Sequence, residues 1–143
     1  MIEITVDGTP KAQKRPRFVR AGKGVRVYDP SAKEKKAFRK ECLADAPIDP
    51  IEGAVSIQVE FVMPRPKYHY GTGKNSDEVK ASSPEEHTVK PDTDNMIKFL
   101  MDALNGLYWK DDCVIDEIIA RKRWGKEGYT KMLIVEPEDD IGF

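Results

Sequence analysis

The chain has 143 residues, 39% of them hydrophobic and 34% charged, and a formal net charge of −1. One domain with a real core fits that length, and no apolar run nears the ~20 residues that would span a bilayer. The near-neutral total hides a split: residues 1–40 carry 12 Lys and Arg against 4 Asp and Glu, and residues 41–143 carry 12 against 21.

Ile2, Ile4 and Val6 alternate with polar residues, which predicts a first strand with one buried face. Gly8-Thr9-Pro10 ends it, and residues 11–18 are basic and held open by Pro16. Val25 to Tyr28 predicts a short strand that pairs back after the turn at Gly22 to Gly24. Asp29-Pro30-Ser31 starts a helix over 31–44, with Ala37, Phe38, Cys42 and Leu43 facing inward. Val55, Ile57, Val59 and Phe61 alternate with Ser56, Gln58 and Glu60, the clearest strand signal, over 54–63.

Residues 64–91 show little periodicity and predict a long, mobile loop beside the site, in which His69 and His87 receive no role. A second helix follows over 94–107, then strands over 114–123 and 129–136 joined by a hairpin through Gly125 to Gly128. An acidic, frayed tail covers 137–143. The order β, β, α, β, α, β, β predicts a single α/β (α+β) domain, a mixed sheet of about four to five strands with two main helices packed on it. Cys42 and Cys113, with no secretory signal ahead of them, are expected to be reduced thiols in a cytoplasmic protein.

The chemistry concentrates in residues 90–112, KPDTDNMIKFLMDALNGLYWKDD. On a helical wheel Lys98 and Asp102 share a polar stripe with Asp94, while Met96, Ile97, Leu100, Ala103, Leu104 and Leu107 fill the opposite arc. Asp92 and Asp94 stand at the helix start, where one acidic residue serves as a cap and two exceed that need. Asp111 and Asp112 follow the helix after a Gly turn. Carboxylates without His or Cys at zinc spacing suit Mg²⁺, with Mn²⁺ able to substitute. Lys98 can place a charge on a scissile phosphate, or can simply pair with Asp94 or Asp102 at i, i+4 spacing.

Lys11, Lys14, Arg15 and Arg17, continued by Arg20 and Lys23, can grip phosphates, and Lys90 extends that surface over the acidic site. A solvated basic loop would look the same. Phe99 and Met101 flank the apolar arc, either facing a two-fold partner or widening the buried stripe.

The run from Lys90-Pro91-Asp92 through Asp94-Asn95, Lys98, Asp102-Ala103-Leu104-Asn105-Gly106 and Trp109 to Asp111-Asp112 resembles the signature of the RusA family of Holliday-junction resolvases. These are bacterial crossover junction endodeoxyribonucleases, often carried by prophages. Weaker resemblance extends to Gly8 with Pro10, to Arg15-Pro16-Arg17 and to Met63-Pro64. It implies a RusA-like fold and a homodimeric, Mg²⁺-dependent enzyme that binds four-way DNA junctions and nicks two opposing strands symmetrically in recombination and repair. It implies metal-binding catalytic carboxylates at Asp92, Asp94 and Asp112, the second of the adjacent pair, with a catalytic lysine at Lys98. Asp102 matches a further acidic position, and the segment 64–90 departs from the shortest members. Two other readings stand beside it: a nuclease with broader taste for branched or flapped DNA, and a non-catalytic DNA-binding protein.

Overall fold

In the computed structural model, which describes residues 1–137, the strongest alternation in the sequence lies inside the sheet. β4 (Val55–Pro64) buries Val55, Ile57, Val59, Phe61 and Met63 on one face, while on the other Gln58 faces solvent, Ser56 and Glu60 are half-buried and only Val62, near the strand's end, is buried. That is the two-residue period of a strand with one covered face. β5 (Ile115–Gly125) runs parallel to β4 on one side, and β6 (Tyr129–Val135) runs antiparallel on the other. β1 (Ile2–Asp7) pairs with β6, giving the order β1-β6-β4-β5. The fold is mixed α+β, as expected.

The expected hairpin between the last two strands does not form. β5 and β6 lie on opposite sides of β4, so residues 125–128 cross over the end of that strand. Gly125 accepts from Arg65 N (2.9 Å), and Gly128 accepts from Gly8 N (3.0 Å). A Cβ on Gly125 would stand 2.3 Å from Val62 Cγ1, and one on Gly128 2.9 Å from Thr9 Cα. Gly128 thus permits a close approach of two backbones and Gly125 leaves room for the Val62 side chain, needs met by the same small residues as a tight turn.

α1 (Ala32–Glu41) and α2 (Thr93–Leu104) contribute the core's second layer. α2 buries Met96, Phe99, Leu100, Ala103 and Leu104, each large side chain contributing about 2 kcal/mol relative to exposure. Phe99 belongs to that stripe: its ring meets Phe38 edge-on with centroids 5.9 Å apart, so it is not left for a partner. α2 stops at Leu104, short of the expected 107. Arg39 donates to the carbonyls of Ala103 (3.2 Å) and Asn105 (2.7 Å), taking up helix-end acceptors, and Gly106 turns the chain at φ 78°.

On α1 the inward set differs from expectation. Cys42 is buried and Phe38 packs on the core, but Ala37 and Leu43 are exposed, and the buried residue within the helix is Lys35. β2 (Arg17–Ala21) and β3 (Gly24–Tyr28) pair only with each other, as a two-stranded ribbon apart from the main sheet, with every residue exposed. The aperiodic segment after β4 wraps the ring of Trp124, against which His69 and His87 are buried at centroid distances of 4.9 and 4.2 Å. Among the described residues no helix is long and apolar enough to cross a membrane. Of the expected acidic tail, residues 138–143 lie outside the described residues.

Candidate active site

Two contacts set the start of α2. Lys122 on β5 donates to the carbonyls of Val89 (2.5 Å) and Pro91 (2.9 Å), and Gln13 N donates to Asn95 O (2.9 Å). Asp92 is the N-cap residue in extended conformation, φ −73° and ψ 142°, yet its side chain makes no capping hydrogen bond. Capping therefore does not account for it, and its carboxylate faces solvent. One turn on, Asp94 and Lys98 approach to 3.8 Å with side chains 70% and 65% exposed. So open a pair contributes well under about 1 kcal/mol and leaves both groups available to a ligand.

The other predicted carboxylates gather at the far end of the helix. Asn105 Nδ2 lies 3.5 Å from Asp111 Oδ1, which also accepts from Asp112 N (2.9 Å) and so caps the short turn Asp112–Val114. Asp112 accepts from the indole N–H of Trp109 (3.2 Å). Burial lifts the Asp112 carboxyl above the usual carboxylate range; the Trp109 bond opposes this, and the like charges of Asp111 and Asp102 add to it. Twelve residues of α2 span about 18 Å at 1.5 Å per residue. One chain thus holds Asp92 and Asp94 at one end of the helix and Asp111 and Asp112 at the other.

Asp102 has a partner that sequence reasoning missed. Lys35, its side chain only 10% exposed, reaches Asp102 (2.5 Å) and Asp29 (2.6 Å). Burial works against its charge, but the hydrogen bonds to Asp102 and Asp29 prevail and hold the ammonium above its ordinary value. Burial alone would raise Asp29; bonds from Lys35, Ser31 N and Gln13 outweigh it and hold that carboxyl below the usual range. The signal for Lys35 was its spacing, three residues before Phe38 and seven before Cys42, on the helix's inward face. Lys122 carried no comparable signal, because its acceptors are distant in sequence.

Among the described residues, no group of three or more His, Cys, Asp or Glu converges to hold a metal ion. The donor chemistry suits a hard cation, but a site shared by Asp92, Asp94 and Asp112 is not assembled by one chain. Two of the expected phosphate-gripping residues are already paired: Lys11 (3.8 Å) and Lys14 (3.4 Å) both lie against Glu34. Arg15, Arg17 and Lys90 are exposed and make no ion pair among the described residues.

The family model for endodeoxyribonuclease RusA matches residues 7–134, from the last residue of β1 nearly to the end of β6. An uncharacterized protein, YqaN of Bacillus subtilis (strain 168), is 35% identical over 141 residues, covering 94% of this chain and 96% of its own length.

Proposed function

This chain belongs to the RusA family of endodeoxyribonucleases, and from that premise we propose that it resolves four-way DNA junctions by paired symmetric nicks. It does so in the cytoplasm, in recombination and repair, as a Mg²⁺-dependent homodimer with Mn²⁺ as a substitute ion. The observation that carries this reading is the opening of α2. Asp92 is exposed and caps nothing, Asp94 and Lys98 are barely engaged, and all three lie beside the root of a basic ribbon through the Gln13–Asn95 bond.

That the described residues of one chain form no three-carboxylate cage bears on how an ion is held. Mg²⁺ commonly takes one or two carboxylates and completes its shell with water and substrate phosphate oxygens. Asp92 and Asp94 supply that much at one end of α2. Asp112, at the other end, would reach the same ion only from a second copy, which gives the homodimer a chemical reason beyond the need for two cuts. When bound, such an ion activates water and offsets charge on the phosphate. Lys98 supplies a fixed positive charge one turn away for the phosphate or the leaving oxygen, and Lys122 holds the segment before Asp92 in place.

The test offers the full chain a mobile four-way junction, a flap and a linear duplex with Mg²⁺. Paired opposing nicks in the junction alone are expected, and Asp94→Asn should remove them while junction binding in gel shift remains. Cuts in all three substrates would instead make this a broader nuclease. Binding without cutting under any divalent ion would leave a DNA-binding protein.

A further inference from the structure

The ribbon formed by β2 and β3 is exposed at every residue, and it is apolar as well as basic. Phe18 is 72% exposed and Val25 67%. The register puts Phe18 opposite Val27 and Arg20 opposite Val25 on one face, with Arg17 opposite Tyr28 and Val19 opposite Arg26 on the other. Both faces thus interleave hydrophobic side chains with guanidinium groups. Between Lys11 and Tyr28 there are seven Lys and Arg and no Asp or Glu. An identical ribbon would be repelled by that charge, and a neutral protein surface would leave it uncompensated. A polyanion with open apolar faces fits both features.

We propose that this ribbon reads the DNA branch: Phe18 stacks on a base laid open where the strands part, while Arg17, Arg20 and Arg26 hold the flanking phosphates. An aromatic side chain needs an unstacked base face, which a continuous duplex hides and a branch point offers. The ribbon is rooted beside the first turn of α2 through Gln13. Its strands of five residues reach about 16 Å at 3.3 Å per residue, so the branch would be held a few nucleotides from Asp92 and Asp94. This rests on the DNA-processing reading above but not on cleavage itself.

The experiment places 2-aminopurine beside the branch of a four-way junction, and in a matched duplex, and titrates the full chain in EDTA. Binding should raise the junction's fluorescence as the base unstacks. Phe18→Ala should abolish that rise and lower the preference for junction over duplex by about tenfold, the effect of one lost aromatic–base stack, while Phe18→Tyr keeps both. Arg17→Ala and Arg26→Ala should weaken binding to both DNAs and each lower the salt slope by about one. Circular dichroism should show the fold unchanged, since Phe18 is exposed. The inference is overturned if Phe18→Ala retains the fluorescence rise and the preference. It is equally overturned if that variant changes only the sedimentation of the free protein, making the ribbon a contact between copies. Because EDTA blocks cutting, a chain that nicks junctions without needing Phe18 loses this inference alone. A chain that needs Phe18 to bind but never nicks loses the nuclease reading alone.

Discussion

Lys35→Met should lower stability by about 2 kcal/mol. The ammonium is nearly enclosed and makes two charge-assisted hydrogen bonds, each worth about 1.5–3 kcal/mol where both partners are shielded. Asp102 is 59% exposed and rehydrates when freed, so its share shrinks to a surface pair's, under about 1 kcal/mol. Asp29, 33% exposed, keeps its bonds from Gln13 and Ser31, so its loss sits near the lower bound, about 1.5 kcal/mol. Methionine refills the aliphatic stem without a cavity. The melting temperature should fall by about 6–8 °C, taking roughly 3–4 °C per kcal/mol at this chain length. Urea unfolding in EDTA at fixed protein concentration measures the difference.

The pH dependence of that difference is also set. Asp29 is depressed, so its contribution is present above the ordinary 3.8 and is lost as pH falls through its lower folded value. Lys35 is raised, so its contribution is complete below 10.5 and fades as pH climbs through its higher folded value. The gap between parent and variant should therefore be flat across neutral pH and close at both extremes. A variant within about 0.5 kcal/mol of the parent at pH 7 would refute the placement of Lys35 as the tie between α1, α2 and the foot of the ribbon.

Lys98→Ala should stop junction cleavage in single-turnover assays yet shift stability by no more than about 0.5 kcal/mol, because its ion pair with Asp94 is exposed; an intact rate removes the role given to that lysine. Arg15→Ala combined with Arg17→Ala should flatten the plot of log affinity against log salt by about two units of slope, read by fluorescence anisotropy across a salt series. Asp112 titrates above its ordinary range, so its ionised form costs the fold stability that returns as pH falls. Asp112→Asn should accordingly be more stable than the parent at neutral pH without metal, while losing cleavage; chemical denaturation that shows a loss instead would contradict the burial argument.

Elements governed by neighbours along the chain were legible before any coordinates. β4 follows from its alternation and α2 from its apolar arc, and the short strand at Val25 to Tyr28 from the glycines before it, whereas its partner strand Arg17–Ala21 carries no burial period to announce it. The signature from Lys90 to Asp112 marked the family, because residue types at fixed spacing are a local property. Contacts between distant segments were not legible. Nothing near Gly125 to Gly128 announces that β4, far upstream, lies between the strands the link connects, since a crossing and a hairpin ask for the same small residues. The spacing of Lys35 marks the inward face of its helix but not the two carboxylates, Asp29 and Asp102, that close around it, and a helix wheel gave the direction of Asp102 but not its partner. The spacing of Asp92, Asp94 and Asp112 suggested one cluster; the rigid length of α2 separates Asp112 from the other two, because a helix keeps whatever follows it a full helix-length from its start unless the chain doubles back, and here Trp109 and Asn105 anchor Asp112 and Asp111 at the C-terminal end.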